Sequence, residues 1–452
     1  MPSATPDPST IYALSSGQGR AGVAVIRISG PAARSVLERM AAPCPPPRRA
    51  AFRKIVHPAT GELLDAALVL FFAGPTSETG EDIAELQLHG SPAVVRSVFR
   101  ALEAISGCRL AEPGEFARRA FLNGKIDLTA AEGLADLIDA ETDAQRRQAL
   151  AQAGGAFARL CDGWRRRMVE ARALTEAAID FSDESDVAAD ALLEARGIAA
   201  ALLEEIEQAR SSAHQGEIVR DGFRIVLAGA PNVGKSSLMN VLARRDVAIV
   251  SAEPGTTRDI IEVRLDLGGY AVFVADTAGL RADGGAIEQE GMRRTRARAR
   301  DADLIVWLVD IQAPVWPAPD LMAGAILYVV NKCDLTGFSL PRPPIGTAPE
   351  TLVPVSALTG EGISALVARF EAELESRFSG AVAGALPTQE RHRRALSLCT
   401  ASLADSLDPT QTEPELVAED LRIAADALGR ITGRIDAEDV LGEIFGRFCI
   451  GK

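Results

Sequence analysis

The stretch Gly229-Ala-Pro-Asn-Val-Gly-Lys-Ser236 constrains this chain more than any other. An apolar run of strand type at 223–228 precedes it, and Leu238, Val241 and Leu242 follow at helical spacing. Strand, glycine-rich turn and helix start together are the setting of a phosphate-binding loop. Glycine lets successive backbone N–H groups curl around a phosphate, and the helix N-terminus adds its positive end. Lys235 would reach the terminal phosphates and the Ser236 hydroxyl would ligate Mg²⁺; Asn232, Val233, Gly234 and Ser237 complete the candidate cradle. A glycine-rich turn can match such a motif by chance, so the weight falls on the residues that follow.

They supply three more segments in the order a guanine-nucleotide domain uses. Asp276, Thr277, Ala278 and Gly279 close an apolar strand, with Asp276 suited to the Mg²⁺ shell and the Gly279 N–H to a γ-phosphate. Asn331, Lys332 and Asp334 end another strand. There Asp334 would accept from the ring N–H and exocyclic amine of guanine, a pattern adenine lacks. Ser356, Ala357 and Leu358 form the backing loop for the guanine oxygen, and Gly255 to Asp259 offers Thr257 as a γ-phosphate-sensing Mg²⁺ ligand. Each tetrapeptide alone is weak; four in order on successive strand ends specify GTP.

Leu280 stands where a Ras-like protein carries its water-orienting Gln, so another group must orient water. Glu288 can do so through a bridging water, and spacing alone does not separate it from Glu290 or from a solvated helix start. The Asn232 side-chain oxygen suits a monovalent cation beside the phosphates. Backbone carbonyls of the loop Ser251, Ala252, Glu253, Pro254, Gly255 and Thr256 would complete that site, and K⁺ there would offset transition-state charge.

The 452 residues leave room for two to four domains, and 47% hydrophobic with 24% charged residues is ordinary globular composition. A net charge of −14 argues against a general nucleic-acid-coating protein but leaves room for a local basic face. Six scattered cysteines fit a reducing cytosol, and four separated histidines give no metal-site spacing. The start Met1 to Pro8 lacks a basic and apolar leader pattern, and the apolar runs are too short for a bilayer, so a cytoplasmic protein is expected.

Strands are expected at 23–28, 66–72 and 83–88, and helices at 33–40 and 92–105, within an α+β module. Arg27 and Glu85 alternate with apolar neighbours, which a solvated sheet face explains. Helical patterning runs from 113 to 215 with a break at 182–186. Strands near 223–228, 261–267, 270–275, 304–309, 326–330 and 352–355 then alternate with helices, the pattern of a mostly parallel, covered sheet. A linker is expected at 378–387. Val417, Leu421, Ala424, Leu428 and Ile431 form an apolar helical stripe beyond it, implying that the tail rejoins the earlier bundle around an inserted nucleotide domain. The basic run 292–300 suits a solvated helix face, with tRNA or a partner as the alternative.

These motifs, with Gly19-Arg-Ala-Gly-Val-Ala-Val-Ile-Arg-Ile-Ser-Gly30, Thr79-Gly-Glu-Asp-Ile-Ala-Glu-Leu-Gln87, Pro113-Gly-Glu115 through Asp127, and Cys449-Ile-Gly-Lys452, resemble the MnmE (TrmE) family of tRNA-modification GTPases along essentially the whole chain. The resemblance implies a multidomain fold: an α+β tetrahydrofolate-binding-like, dimerising domain at 1–120, an all-α helical bundle at 121–218 and 379–452, and an inserted α/β Ras-like P-loop GTPase domain at 219–378. It implies a 5-formyl-tetrahydrofolate pocket of Arg27, Glu85, Lys125 and Lys452. K⁺ ligands fall on Asn232, Ser251, Glu253 and Thr256, Mg²⁺ ligands on Ser236 and Thr257, and the catalytic glutamate on Glu288. Cys449 is either a chemical participant or a packed terminal residue.

By the same resemblance, the chain would be a homodimer working with the FAD-dependent partner MnmG in a heterotetramer or larger complex. Together they would add a carboxymethylaminomethyl or aminomethyl group to C5 of wobble uridine, the one-carbon unit coming from methylene-tetrahydrofolate. A regulatory GTPase of ribosome assembly would share the nucleotide motifs. It would not need the folate-type residues or the terminal Cys449 to Lys452.

Overall fold

The computed structural model describes residues 9–181, 185–245, 247–249, 262–276, 302–317, 325–335, 339–342, 352–378, 386–411, 413–435, 438–446, 448 and 450–451. These fall into two compact units. One comprises 1–135, 152–207 and 394–452, and the other 136–151 and 208–393.

The first unit is built on a six-stranded sheet of β1 (Thr10–Leu14), β2 (Ala21–Ser29), β3 (Ala51–Val56), β4 (Leu63–Phe72), β5 (Ile83–Gly90) and β6 (Cys108–Leu110). Their order is β3-β4-β5-β2-β1-β6, antiparallel throughout except for the β1–β6 pair. Alternation sets the faces. Ile26, Ile28, Val69, Phe71 and Leu86 bury one face with α1 (Ala33–Met40) and α2 (Pro92–Glu103). Helix α2 starts where Ser91 Oγ accepts from Ala93 N and Pro92 supplies a helical φ. On the opposite face, α3 (Glu115–Leu122) packs Phe116 against Ile11 and Ala13 of β1.

The expected strands and helices of this region are present within a few residues. Three strands escape the pattern: β1 and β6 are too short for periodicity to declare, and β3 is an edge strand whose half-solvated position tolerates Arg53 and Lys54.

Helices α4 (Leu128–Asp139), α5 (Asp143–Ala153), α6 (Ala156–Asp180) and α7 (Ser185–Asp221) follow. Near the C-terminus come α10 (Glu390–Ser406), α11 (Pro414–Thr432) and α12 (Glu438–Gly446), after α8 (Lys235–Ala243) and α9 (Ile363–Phe378) of the second unit. Helix α11 lies along α6, burying Val417, Leu421, Ala424, Leu428 and Ile431, and stops at Gly433, whose φ of 79° serves the helix end. The chain terminus docks on the first sheet. Pro113 bridges Ile450, and Ser15 Oγ donates to Gly451 O at 2.8 Å.

The second unit holds β7 (Phe223–Gly229), α8 (Lys235–Ala243), β8 (Glu262–Leu267), β9 (Tyr270–Asp276), β10 (Leu304–Asp310), β11 (Ile326–Asn331), β12 (Leu352–Pro354) and α9 (Ile363–Phe378). The order is β12-β11-β10-β7-β9-β8, parallel except for β8. Continuous apolar strands such as β10 are buried, as a sheet covered on both faces requires. Strand β7 lies between β10 and β9, where the connection order reverses, so its C-terminal end opens the crevice that binds ligands in such sheets.

Candidate functional site

The turn after β7 passes through Asn232 at φ 62° and Gly234 at φ 99° before α8 begins at Lys235. A Cβ on Gly234 would sit 2.3 Å from Asn331 Nδ2, so only glycine fits. Lys235 is 7% exposed, and its Nζ donates to Gly229 O at 3.0 Å and Ala230 O at 2.9 Å. Burial pushes its pKa below the usual lysine value, with the Asp276 carboxylate acting in the opposite direction. A desolvated ammonium whose hydrogen bonds, among the described residues, go to the carbonyls of its own loop is suited to receive an anion. Beside it, Ser236 Oγ donates to Asp276 Oδ2 at 2.9 Å. These two hard oxygen groups suit Mg²⁺.

The base end is tied to the phosphate end by one side chain. Asn331, 2% exposed, donates from Nδ2 to Val233 O at 2.8 Å and accepts at Oδ1 from Ala357 N at 3.0 Å. Ser356 Oγ accepts from Leu358 N and Thr359 N, shaping the loop that presents Leu358 at 87% exposure. Half-buried Asp334 has no hydrogen-bond partner among the described residues, which leaves its carboxylate open to a guanine edge. Lys332, at φ 67°, pairs with Asp310 Oδ2 at 2.5 Å. Burial alone would raise the Asp310 carboxyl, but the Lys332 hydrogen bond brings it below its ordinary value. Sequence reading missed Asp310, although an acid ending an apolar strand beside the crevice was a legible signal.

In the first unit the register sets Arg27 directly opposite Glu85. Arg27 Nε and Nη2 reach Glu85 Oε1 at 3.2 Å, and Nη1 reaches Glu78 Oε2 at 2.9 Å. The guanidinium carbon lies 6.0 Å from the Phe116 ring centroid. The side chains of Arg27 and Glu85 are 20% and 16% exposed, so the pair is largely covered rather than on a solvated face. Lys125 Nζ donates to Pro75 O at 2.9 Å, on the segment that carries Glu78, and Lys125 also lines a cleft of about 650 Å³ with Asp127 and Arg434. That segment is held from beneath. Arg119 bonds Glu81 at 3.1 Å and Glu115 at 3.0 Å, and Asn123 Nδ2 donates to Thr79 O. Glu78, Glu81 and Arg119 carried no periodic signal.

Ser251, Ala252, Glu253, Pro254, Gly255, Thr256, Thr257, Thr277, Ala278, Gly279, Leu280, Glu288, Glu290, Cys449 and Lys452 lie outside the described residues, as do the run 292–300 and most of the expected linker, 379–385. Among the described residues no helix is long and apolar enough to cross a membrane.

A buried ammonium in a glycine turn, a serine–aspartate pair and an asparagine-tied base loop, all on the crevice of a parallel sheet, define a P-loop GTPase. The family model described as "MnmE helical domain" matches residues 128–449, and that described as "GTP-binding protein TrmE N-terminus" matches 10–125. The tRNA modification GTPase MnmE of Azorhizobium caulinodans is 51% identical over 98% of this chain and 99% of its own, and that of Methylobacterium sp. (strain 4-46) is 52% identical over the same shares. A solved structure of the FeoB G-domain from Methanococcus jannaschii aligns at 26% identity and TM-score 0.26, covering 34% of this chain and 98% of that one. The chain belongs to the MnmE family of tRNA modification GTPases, and is an enzyme of that class.

Proposed function

We propose that the chain hydrolyses GTP to GDP and phosphate in order to drive modification of wobble uridine in tRNA. With an FAD-dependent MnmG-type partner it would add a carboxymethylaminomethyl or aminomethyl group to C5, drawing the one-carbon unit from a tetrahydrofolate. The observation that carries this reading is the family match across both the N-terminal and helical regions, joined to the Lys235, Ser236–Asp276 and Asn331 contacts of the nucleotide crevice. Lys235 and the loop N–H groups neutralise charge growing on the β–γ bridge, and Asp334 selects guanine. Ser236 with Thr257 would hold Mg²⁺, which offsets phosphate charge when bound. Asn232, already turned at φ 62°, would hold K⁺ with Ser251, Glu253 and Thr256, while Glu288 orients the attacking water.

Arg27, Glu85, Lys125 and Lys452 would bind the folate. The convergence of the first three on or around segment 75–85 supports this set, as does the docking of Ile450 and Gly451 on the N-terminal sheet and its flank. Cys449 is assigned to the same terminal motif. We place the domain limits at 120, 218 and 378, the protein in the cytoplasm, and the working form as a homodimer within a heterotetramer or larger complex.

The test is a nucleoside profile of bulk tRNA from cells with and without the gene. Loss of C5-modified wobble uridine, restored by the wild type and not by Asp276→Ala, is the expected result; an unchanged profile overturns the reading. Hydrolysis should be faster in K⁺ than in Na⁺, with the preference lost in Asn232→Ala. Binding of 5-formyl-tetrahydrofolate should be lost in Arg27→Ala.

A further inference from the structure

Segment 43–57 contains no aspartate or glutamate in a chain of net charge −14, yet carries Arg48, Arg49, Arg53 and Lys54. Elsewhere arginines are commonly paired with carboxylates, as at Arg27, Arg109, Arg119 and Arg220. None of these four cations has a carboxylate partner among the described residues. Two are oriented by carbonyls instead. Arg48 Nη2 donates to Thr76 O at 2.6 Å, and Arg53 donates from Nε to Pro43 O and from Nη1 to Phe52 O, each at 3.0 Å. The side chains of Arg49 and Lys54 meet no polar partner among the described residues. Phe52, 66% exposed and opposite Leu68 at 43%, shares one face of β3 with Lys54, while Arg53 alternates onto the face of Ile55 and Ala67.

Strand β3 is an edge of its sheet, and one or two charges there would suffice to discourage strand pairing. Protection of the edge leaves Arg48 and Arg49 unexplained, because they precede the strand. From Arg48 to Lys54 the chain reaches at most about 20 Å, room for a few successive phosphates. A solvent-facing aromatic among unpaired cations is the arrangement that stacks an unpaired base while phosphates are neutralised around it. The register extends the argument. Phe52, Leu68, Gln87 and Val25 form one cross-strand row, and Leu70, Glu85 and Arg27 form the next on the same face. Three strand spacings, about 14 Å, separate Phe52 from the β2 strand of Arg27.

We propose that the β3 edge and the loop before it form a tRNA-contacting surface, with Arg48, Arg49 and Lys54 on phosphates and Phe52 stacked on an unpaired base. The proposal rests on the reading that this chain acts on tRNA. It brings the RNA onto the sheet face that carries the candidate one-carbon pocket.

The experiment is fluorescence-anisotropy titration of the full-length protein with an unmodified tRNA transcript across 50–200 mM salt, with mass measured by sedimentation. Arg49→Gln/Lys54→Gln removes two cations whose side chains meet no polar partner among the described residues. Affinity should fall several-fold, and the slope of log affinity against log salt should flatten by about 1.5. Phe52→Ala should weaken binding at every salt concentration without changing the slope. GTP hydrolysis without RNA should stay at the wild-type rate in all variants. Variants that bind with wild-type affinity and slope overturn the surface while leaving tRNA as substrate. Wild-type protein that binds no tRNA overturns both. Weakened binding accompanied by a change in mass overturns the surface in favour of contact between copies of the chain.

Discussion

Asn331→Ala is the sharpest test of how the nucleotide site is held together. The side chain is 2% exposed and makes two buried hydrogen bonds, to Val233 O and from Ala357 N. Truncation leaves both backbone groups without a partner, at about 1–3 kcal/mol each, or about 2–6 kcal/mol in all. The amide also fills the space that Gly234 leaves by lacking a Cβ, so its removal frees the phosphate loop. Some of the loss should appear as lower stability, and the rest as weaker binding at two loops whose mutual placement has lapsed. Trp307 and Trp316 both report on the second sheet, so denaturant unfolding followed by tryptophan fluorescence reads mainly that unit. Titration with a fluorescent GDP analogue reads the second quantity. Expected is a drop of at least about 2 kcal/mol between the two, equivalent to about thirtyfold if it fell wholly on affinity. A combined change below about 0.5 kcal/mol would refute the idea that Asn331 couples the loops.

Further outcomes follow from the same geometry. Asp334→Asn replaces an unpartnered carboxylate with a group that presents a donor to guanine's donors; GTP affinity should fall about a hundredfold, measured by titration, with ATP not gaining. Gly451→Ala puts a Cβ 2.2 Å from Leu14 O at φ 107°, so the terminus should undock and 5-formyl-tetrahydrofolate binding should weaken while GTP binding is unchanged. Burial alone would raise the Glu115 carboxyl, but hydrogen bonds from Arg109, Glu112 N and Arg119 bring it below its ordinary 4.5. Its contribution to folding is therefore complete above about pH 4.5 and is lost as pH falls through the lowered value. Glu115→Gln should remove that acid limb and, by leaving 7%-exposed Arg119 with less of its counter-charge, cost about 3 kcal/mol at pH 7 in calorimetry.

The nucleotide site was legible because its chemistry is written in contiguous loops. A phosphate is met by successive N–H groups of 229–236, so spacing along the chain is spacing in space. The strands that carry those loops showed themselves as apolar runs, since a covered parallel sheet needs both faces apolar. Arg27 was different. Pattern alone read it as a solvated residue, and only register across two strands, with Phe116 arriving from α3, gave it Glu85 and Glu78 as partners. Asp310 as the anchor of Lys332, and Arg119 as the support beneath segment 79–81, likewise required the fold.

The sequence by itself determined the GTPase chemistry, through short-range motifs that fix backbone geometry and ligand type together. Tertiary structure alone decided that Ser15 Oγ would meet Gly451 O, 436 positions away in the chain. No local preference encodes such a contact, because it exists only once two elements distant along the chain have packed into the same unit.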